Sequence, residues 1–209
     1  MYRCQVPRAA SPVTRSALLD HAASMLARRQ PVTVRALATA AGTSTMAVYT
    51  HFGGMPGLWQ AVRQEGFTRL DRHLAEVEQA GDPVRNLVAL GRAYVRNALL
   101  HPDHYRVMFD TAADLVDPEA AAAAFELLVE GVRRAAEAGR FDRTTDAGAL
   151  ATRQWIIGHG ATMLVLGGVL PAPAIDALVP PTLADLFVGA GDDRQRCLRS
   201  IAEGWEPVA

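Results

Sequence analysis

The stretch "AAGTSTMAVYTHFGG", residues 40–54, governs how the rest of the chain is read. It opens on small residues and a glycine and runs through three hydroxyl side chains, Thr43, Ser44 and Thr45. It then places Tyr49, Thr50 and His51 side by side before Phe52. A helix meant for a core would lead with apolar residues. Here Thr43 or Ser44 suits the N-cap of a short helix running to about His51, because a hydroxyl oxygen accepts from the free N–H groups of a first turn. Just before it, Thr33 caps a second short helix, "VRALATAA", with Leu37, Ala38 and Ala41 inward, and Gly42 ends it. Two short helices joined at a glycine make a helix-turn-helix. Its sterics ask for a small residue under the crossing helix, a glycine with positive φ at the turn, and a branched apolar residue in the angle between the helices. Ala38, Gly42 and Val48 supply these at the required offsets.

Outward from this core the pattern stays helical. Ala17, Leu18, Ala22, Met25 and Leu26 recur at spacings of three and four from Thr14 onward, and "RRQPV" stops that helix at Pro31. Pro56 opens a fourth helix carrying Leu58, Ala61, Val62, Phe67, Leu70 and Leu74. A fifth runs from Pro83 to His101-Pro102, a short sixth covers "DHYRVMFD", and Pro118 opens a seventh that ends at Gly139. Asp146 caps an eighth, with Asp142 read as a further cap. "LPAPAIDALVPP", residues 170–181, reads as a proline-rich loop before "TLADLFVGA" and "DDRQRCLRSIAEGW". No segment alternates as a strand. The expected fold is all-α, with an N-terminal three-helix helix-turn-helix head over 12–57 and a larger C-terminal helical bundle over 58–209, about nine or ten helices in all.

Composition agrees. Half of the 209 residues are hydrophobic but only 6% are aromatic, so Ala, Leu and Val carry the core, a mixture that favours helix. Net charge is −1, yet residues 1–55 hold six arginines against one acid, Asp20, and the remainder is acidic. Such asymmetry fits a small anion-binding module on a differently employed body, with a solvated basic end as the plainer account. Arg3, Arg8 and Arg15 belong to an N-terminal arm available for phosphate contact. Cys4 and Cys197 have no metal-ligand spacing and read as reduced thiols. The N-terminal segment lacks the apolar centre of a signal peptide, and no run approaches the roughly 18 apolar residues of a membrane span. A cytoplasmic protein is expected.

If the third helix enters a major groove, its leading end meets phosphates and base edges first. Ser44, Thr45 and the first-turn amides would then bond phosphate oxygens, aided by the positive end of the helix dipole. Residues 32–62, "VTVRALATAAGTSTMAVYTHFGGMPGLWQAV", resemble the DNA-binding head of the tetracycline-repressor (TetR/AcrR) family of bacterial regulators. Thr33, Ala41-Gly42, Ser44, Tyr49, His51-Phe52 and Leu58 match its pattern position by position. The resemblance implies that Thr33, Ser44, Thr45, Tyr49, Thr50 and His51 contact a double-stranded operator, with Thr43 beside them and Met46 and Ala47 at base edges. One departure stands out: Met55 occupies the place where family members usually carry a phosphate-binding lysine.

"HPDHYRVMF" and "TRQWIIGHGATMLVLGG" resemble the C-terminal domain of a family subgroup marked by Trp155 and then His159-Gly160. The family's architecture implies a homodimer whose last two long helices pair with their copies. Ala161, Met163, Leu164 and Leu166, and Cys197, Leu198 and Ile201, fit that role, and Gly158, Gly160 and Gly167 permit close approach. It also implies a small-molecule effector pocket, for which Tyr94, Tyr105, Met108, Phe109, Phe125, Trp155 and His159 are candidate lining residues; ordinary core packing is the competing account of each. No nucleophile elbow, P-loop, dinucleotide glycine pattern or His-Glu-x-x-His occurs, and His101-x-x-His104 straddles a proline. No catalytic residue, metal site, cofactor or membrane partner is expected. The function implied is a DNA-binding transcriptional regulator, a repressor released from a palindromic operator by a small, mainly apolar effector. The alternative is a helical ligand-binding or protein-interaction module whose head has weakened or lost DNA binding.

Overall fold

The computed structural model describes residues 11–109 and 115–205. Arg3, Arg8 and Cys4 of the expected arm lie outside the described residues. Within them there are ten helices and no strand: α1 (Pro12–Ala27), α2 (Val34–Ala40), α3 (Thr45–Phe52), α4 (Met55–Ala75), α5 (Pro83–Leu100), α6 (Pro102–Met108), α7 (Pro118–Glu137), α8 (Ala147–Leu166), α9 (Ala174–Gly189) and α10 (Arg194–Gly204). No described helix is long and apolar enough to cross a membrane. The chain divides into two compact units, one of residues up to Phe67 with Asp103–Asp117, the other of Thr68–Pro102 with Pro118 onward. The expected head, 12–57, falls whole within the first.

In the first unit α1 buries Leu18, Leu19, Ala22 and Ala23, a wider stripe than the one read from spacing, since Leu19 and Ala23 also face the core. Leu37, Val48, Leu58 and Val62 complete that core, and Ala38 lies beneath α3 at 3% exposure. Thr33 caps α2 by accepting from the Ala36 N–H at 3.1 Å. Gly42, at φ 61°, closes α2 while the Thr43 N–H returns to the Ala38 carbonyl at 2.9 Å. Gly57 has a role that spacing did not reveal. A β-carbon there would sit 2.0 Å from the Phe52 carbonyl oxygen, so only glycine lets the first turn of α4 press against the end of α3. A β-carbon at Gly66 would meet Met108 at 2.6 Å, which brings α6 against α4 in this unit. His104, buried, binds Asp20 of α1 through Nε2 at 2.9 Å, and no group of three or more metal-ligating side chains occurs among the described residues.

The second unit packs α5, α7, α8, α9 and α10 around Val84, Leu87, Val88, Val95, Val132, Leu150, Ile175, Leu183 and Phe187. One expectation is corrected here. The supposed proline-rich loop is helix from Ala174, and α9 runs through Pro180 and Pro181 without a break. Each internal proline costs about 3 kcal/mol in lost bonding and ring clash. Four side chains on one face, Ile175, Val179, Leu183 and Phe187, are all at most 3% exposed. Each contributes about 1.5–3 kcal/mol by burial, enough to outweigh the two prolines. Asp146 caps α8 by accepting from the Ala149 N–H at 3.0 Å, as expected. Asp142 caps no helix; its main chain serves instead, with the N–H donating to Ala190 and the carbonyl accepting from Thr145.

A buried arginine ties three distant segments of this unit together. The Arg140 side chain is fully buried and grips Asp192 with two bonds of 2.7 Å, from Nε and Nη2. Nη1 donates to Asp82 Oδ1 at 2.5 Å and Nη2 to Ser200 Oγ at 2.9 Å, while Ser200 Oγ donates to Asp82 Oδ2 at 2.7 Å. Asp82 also caps α5 through the Val84 and Arg85 N–H groups. Burial alone would raise its pKa, but the Ser200 hydrogen bond, those amides and the Arg140 charge hold it below the usual carboxylate value. Beside this cluster, burial first and then the Asp192 charge push the Cys197 thiol up to about 12.

Candidate nucleic-acid interface

The α3 helix presents two unlike faces. Val48 is fully buried and Phe52 is packed on the head core, while Thr45, Met46, Tyr49 and Thr50 are exposed on the opposite side. Met46 at 65% and Tyr49 at 52% exposure are large apolar surfaces that the fold leaves in solvent on so small a helix. Ser44 holds the N-cap position with extended backbone, yet its hydroxyl makes no bond to the turn it precedes; the Ala47 N–H donates to the Ser44 carbonyl at 3.0 Å, which leaves the hydroxyl and the Thr45 and Met46 amides for an outside acceptor. The Thr33 oxygen is used by its own cap and its hydroxyl proton remains for an external oxygen. Thr50 is the reverse case. Its hydroxyl donates to the Met46 carbonyl at 2.9 Å and so offers an acceptor outward. His51 is half-buried against Phe52, with ring centroids 5.9 Å apart, and the Arg15 guanidinium lies 5.6 Å from the Phe52 ring. Thr43 and Ala47 are half-buried at the ends of this face. Gly53 (φ 70°) ends the helix and, with Gly57, sets its angle to α4. Met55 is half-buried on the head core; it fills apolar space and brings no charge.

The expected ligand residues fall into two sets. Tyr94, Phe125, Trp155 and His159 meet in the second unit. Trp155 Nε1 donates to the Tyr94 oxygen at 3.1 Å, and Tyr94 OH lies 3.0 Å from His159 Nδ1. An indole can only donate, so the Tyr94 oxygen accepts from Trp155, and the tautomer of the neutral imidazole sets which of Tyr94 and His159 donates in their shared bond. Burial lowers the His159 pKa, which favours that neutral form. Phe125 meets Trp155 edge-on at 6.2 Å. Gln154, which spacing did not single out, donates to the Leu87 carbonyl at 2.7 Å and leaves Oε1 buried without a partner; Asn97 Oδ1 is left the same way. Tyr105, Met108 and Phe109 belong to the first unit, where Phe109 meets Tyr105 at 5.4 Å and Phe67 at 6.3 Å. None of the seven lines the cleft of about 250 Å³ formed by α4, α5, α10 and the segment after α4, with His73, Glu76, Arg85, Arg92, Arg96 and Glu203 in its lining.

The helices named for dimer contacts also divide. Cys197 and Ile201 are core residues at 0% and 5% exposure, so α10 presents only Leu198 of the three residues expected there. Ile156, Met163 and Leu164 on α8 and Leu178 on α9 are exposed, and the two helices are neighbours. Ile156, Gly160 and Met163 stand at offsets of four and three on one helical face, a stripe that the apolar run of α8 concealed in the sequence. Pro181 and Thr182 continue the exposed face of α9.

A family model described as the tetracyclin repressor-like C-terminal domain matches residues 87–186, from α5 into α9. Comparison with curated proteins finds no match. Among solved structures, a protein of unknown function from Rhodococcus sp. RHA1 is 28% identical with a TM-score of 0.70, covering 90% of this chain and 100% of its own. The TetR family protein CprB from S. coelicolor A3(2) is 19% identical with a TM-score of 0.70, covering 91% and 95%. A putative TetR-family transcriptional regulator from Rhodococcus sp. is 19% identical with a TM-score of 0.59, covering 90% and 97%. At that identity the last two speak for the fold. Residues 87–186, from α5 into α9, thus resemble the tetracyclin repressor-like C-terminal domain, and a helix-turn-helix lies ahead of them in the chain.

Proposed function

We propose that the protein is a cytoplasmic, homodimeric transcriptional regulator, in the simplest case a repressor, that leaves a palindromic operator when a small, mainly apolar effector binds. The observation that carries the reading is the outward face of α3, on which Met46, Tyr49 and the hydroxyls of Ser44 and Thr45 stand exposed while Val48 anchors the helix from behind. Thr33, Thr43, Ser44 and Thr45 serve phosphates, Met46 and Ala47 suit a thymine methyl, and Tyr49, Thr50 and His51 reach backbone and base edges. DNA from beside its own gene is the probe, read by gel retardation. The unsubstituted protein is expected to retard it, and Tyr49→Ala to weaken binding at least about tenfold with Tm unchanged, because the ring is half in solvent. Retardation of no fragment at low salt overturns the reading.

A palindrome needs two heads, and the exposed apolar stripe of α8 with Leu178 of α9 is the proposed pairing surface. Ile156→Glu is expected to yield monomers by light scattering and to lose tight operator binding; a variant that stays dimeric rejects this surface. The effector is proposed to bind beside Tyr94, Phe125, Trp155 and His159, with Tyr105, Met108 and Phe109 the further candidates. Its coupling to DNA must be reciprocal: whatever factor it removes from operator affinity, the operator removes from its own. Met55 favours a second reading, a head with weakened DNA binding.

A further inference from the structure

We propose that Arg29, at the end of α1, is a phosphate contact of the DNA-bound head. This rests on the DNA-binding reading above and adds a residue that reading does not include. The α1 helix closes with the Arg29 N–H donating to the Leu26 carbonyl at 2.8 Å and the Gln30 N–H to Met25 at 2.9 Å. That closure needs a left-handed residue between them, and Arg29 takes φ 56°. Among the described residues Gly42, Gly53, Gly54, Gly139, Gly168 and Gly191 take every other positive φ, because glycine has no β-carbon to crowd the backbone. Arginine alone is kept at such a place, and the fold gains nothing visible from its side chain. It is exposed and has no hydrogen bond, ion pair or ring contact among the described residues.

Its surroundings point to an anion from outside. Arg28 beside it and Arg35 in the first turn of α2 are likewise exposed and unpaired among the described residues. The head's single acid, Asp20, is held by His104 at 2.9 Å. Thr33, whose hydroxyl proton is free, follows four residues later, so the two α-carbons are at most about 14 Å apart. A duplex strand carries one phosphate per about 3.4 Å of axis, so an arginine beside a threonine bound to one phosphate meets its neighbours. Backbone strain retained at an exposed arginine is then the cost of that contact.

Arg29→Gly and Arg29→Asn suit the left-handed position and remove the charge, and Arg29→Lys keeps the charge. Both neutral variants are expected to hold Tm or raise it by up to about 2–4 °C. They are also expected to bind the operator several-fold more weakly, with the slope of log K against log salt reduced by about one unit per head. Arg29→Lys is expected to keep the slope. A purely structural arginine predicts lower Tm and an unchanged slope. Neutral variants that bind with the affinity and slope of the unsubstituted protein overturn this inference alone. An unsubstituted protein that binds no DNA overturns the underlying reading and this one with it.

Discussion

Arg140→Ala is expected to cost about 3–5 kcal/mol of folding stability at neutral pH, measured by urea or thermal unfolding. Removing the guanidinium leaves Asp192, at 5% exposure, and Asp82 on either side of the emptied site with no counter-charge. The loss also unfastens the start of α5 from the α9–α10 turn, because one side chain held both. Acid should narrow the gap between the two proteins. In the unsubstituted protein the folded Asp82 pKa lies below its usual value, so its contribution is present above the ordinary carboxylate range and is lost as pH falls through the lowered folded value. In the alanine variant the stranded carboxylates bind protons more readily, and acidification to about pH 3 removes less. Stability equal to that of the unsubstituted protein at neutral pH would mean the cluster is solvated in solution. Substituting Asp82→Asn and Asp192→Asn in the alanine background should recover part of the loss, since the stranded charge carries most of it.

Met55→Lys is expected to raise operator affinity by about 10- to 60-fold at about 0.1 M salt. Each added phosphate contact steepens the salt dependence by about 0.9, and a dimer adds two, close to two decades at that concentration. The fold permits the change. Met55 is half-buried against the head core, and a lysine stem covers the same apolar surface while its ammonium reaches solvent. Tm should therefore hold. Titrations across a range of salt separate the outcomes: a steeper slope with higher affinity shows a missing anchor restored. An unchanged slope shows that position 55 faces no phosphate. A gain from barely measurable binding would identify the weakened-head alternative as the protein's natural state.

What the sequence determined by itself is local. Ala38, Gly42 and Val48 lie within eleven residues, and their steric demands are met or broken inside one turn, so the helix-turn-helix follows from composition and offset. Thr33 and Asp146 cap their helices for the same reason, each accepting from an amide three residues on. The outward polarity of α3 was legible because nothing in a core needs Thr45 and Tyr49 on one face. Tertiary structure decided the rest. Pro180 and Pro181 break a helix in isolation, and only the burial of Ile175, Val179, Leu183 and Phe187 against other helices outweighs them. Gly57 reads as one glycine among several in a turn until the Phe52 carbonyl is seen 2.0 Å from its missing β-carbon. The aromatic candidates divided between two units, Cys197 and Ile201 turned inward, and Arg140 found partners more than fifty residues away on either side. Such contacts depend on how whole helices pack, and no spacing along the chain encodes them.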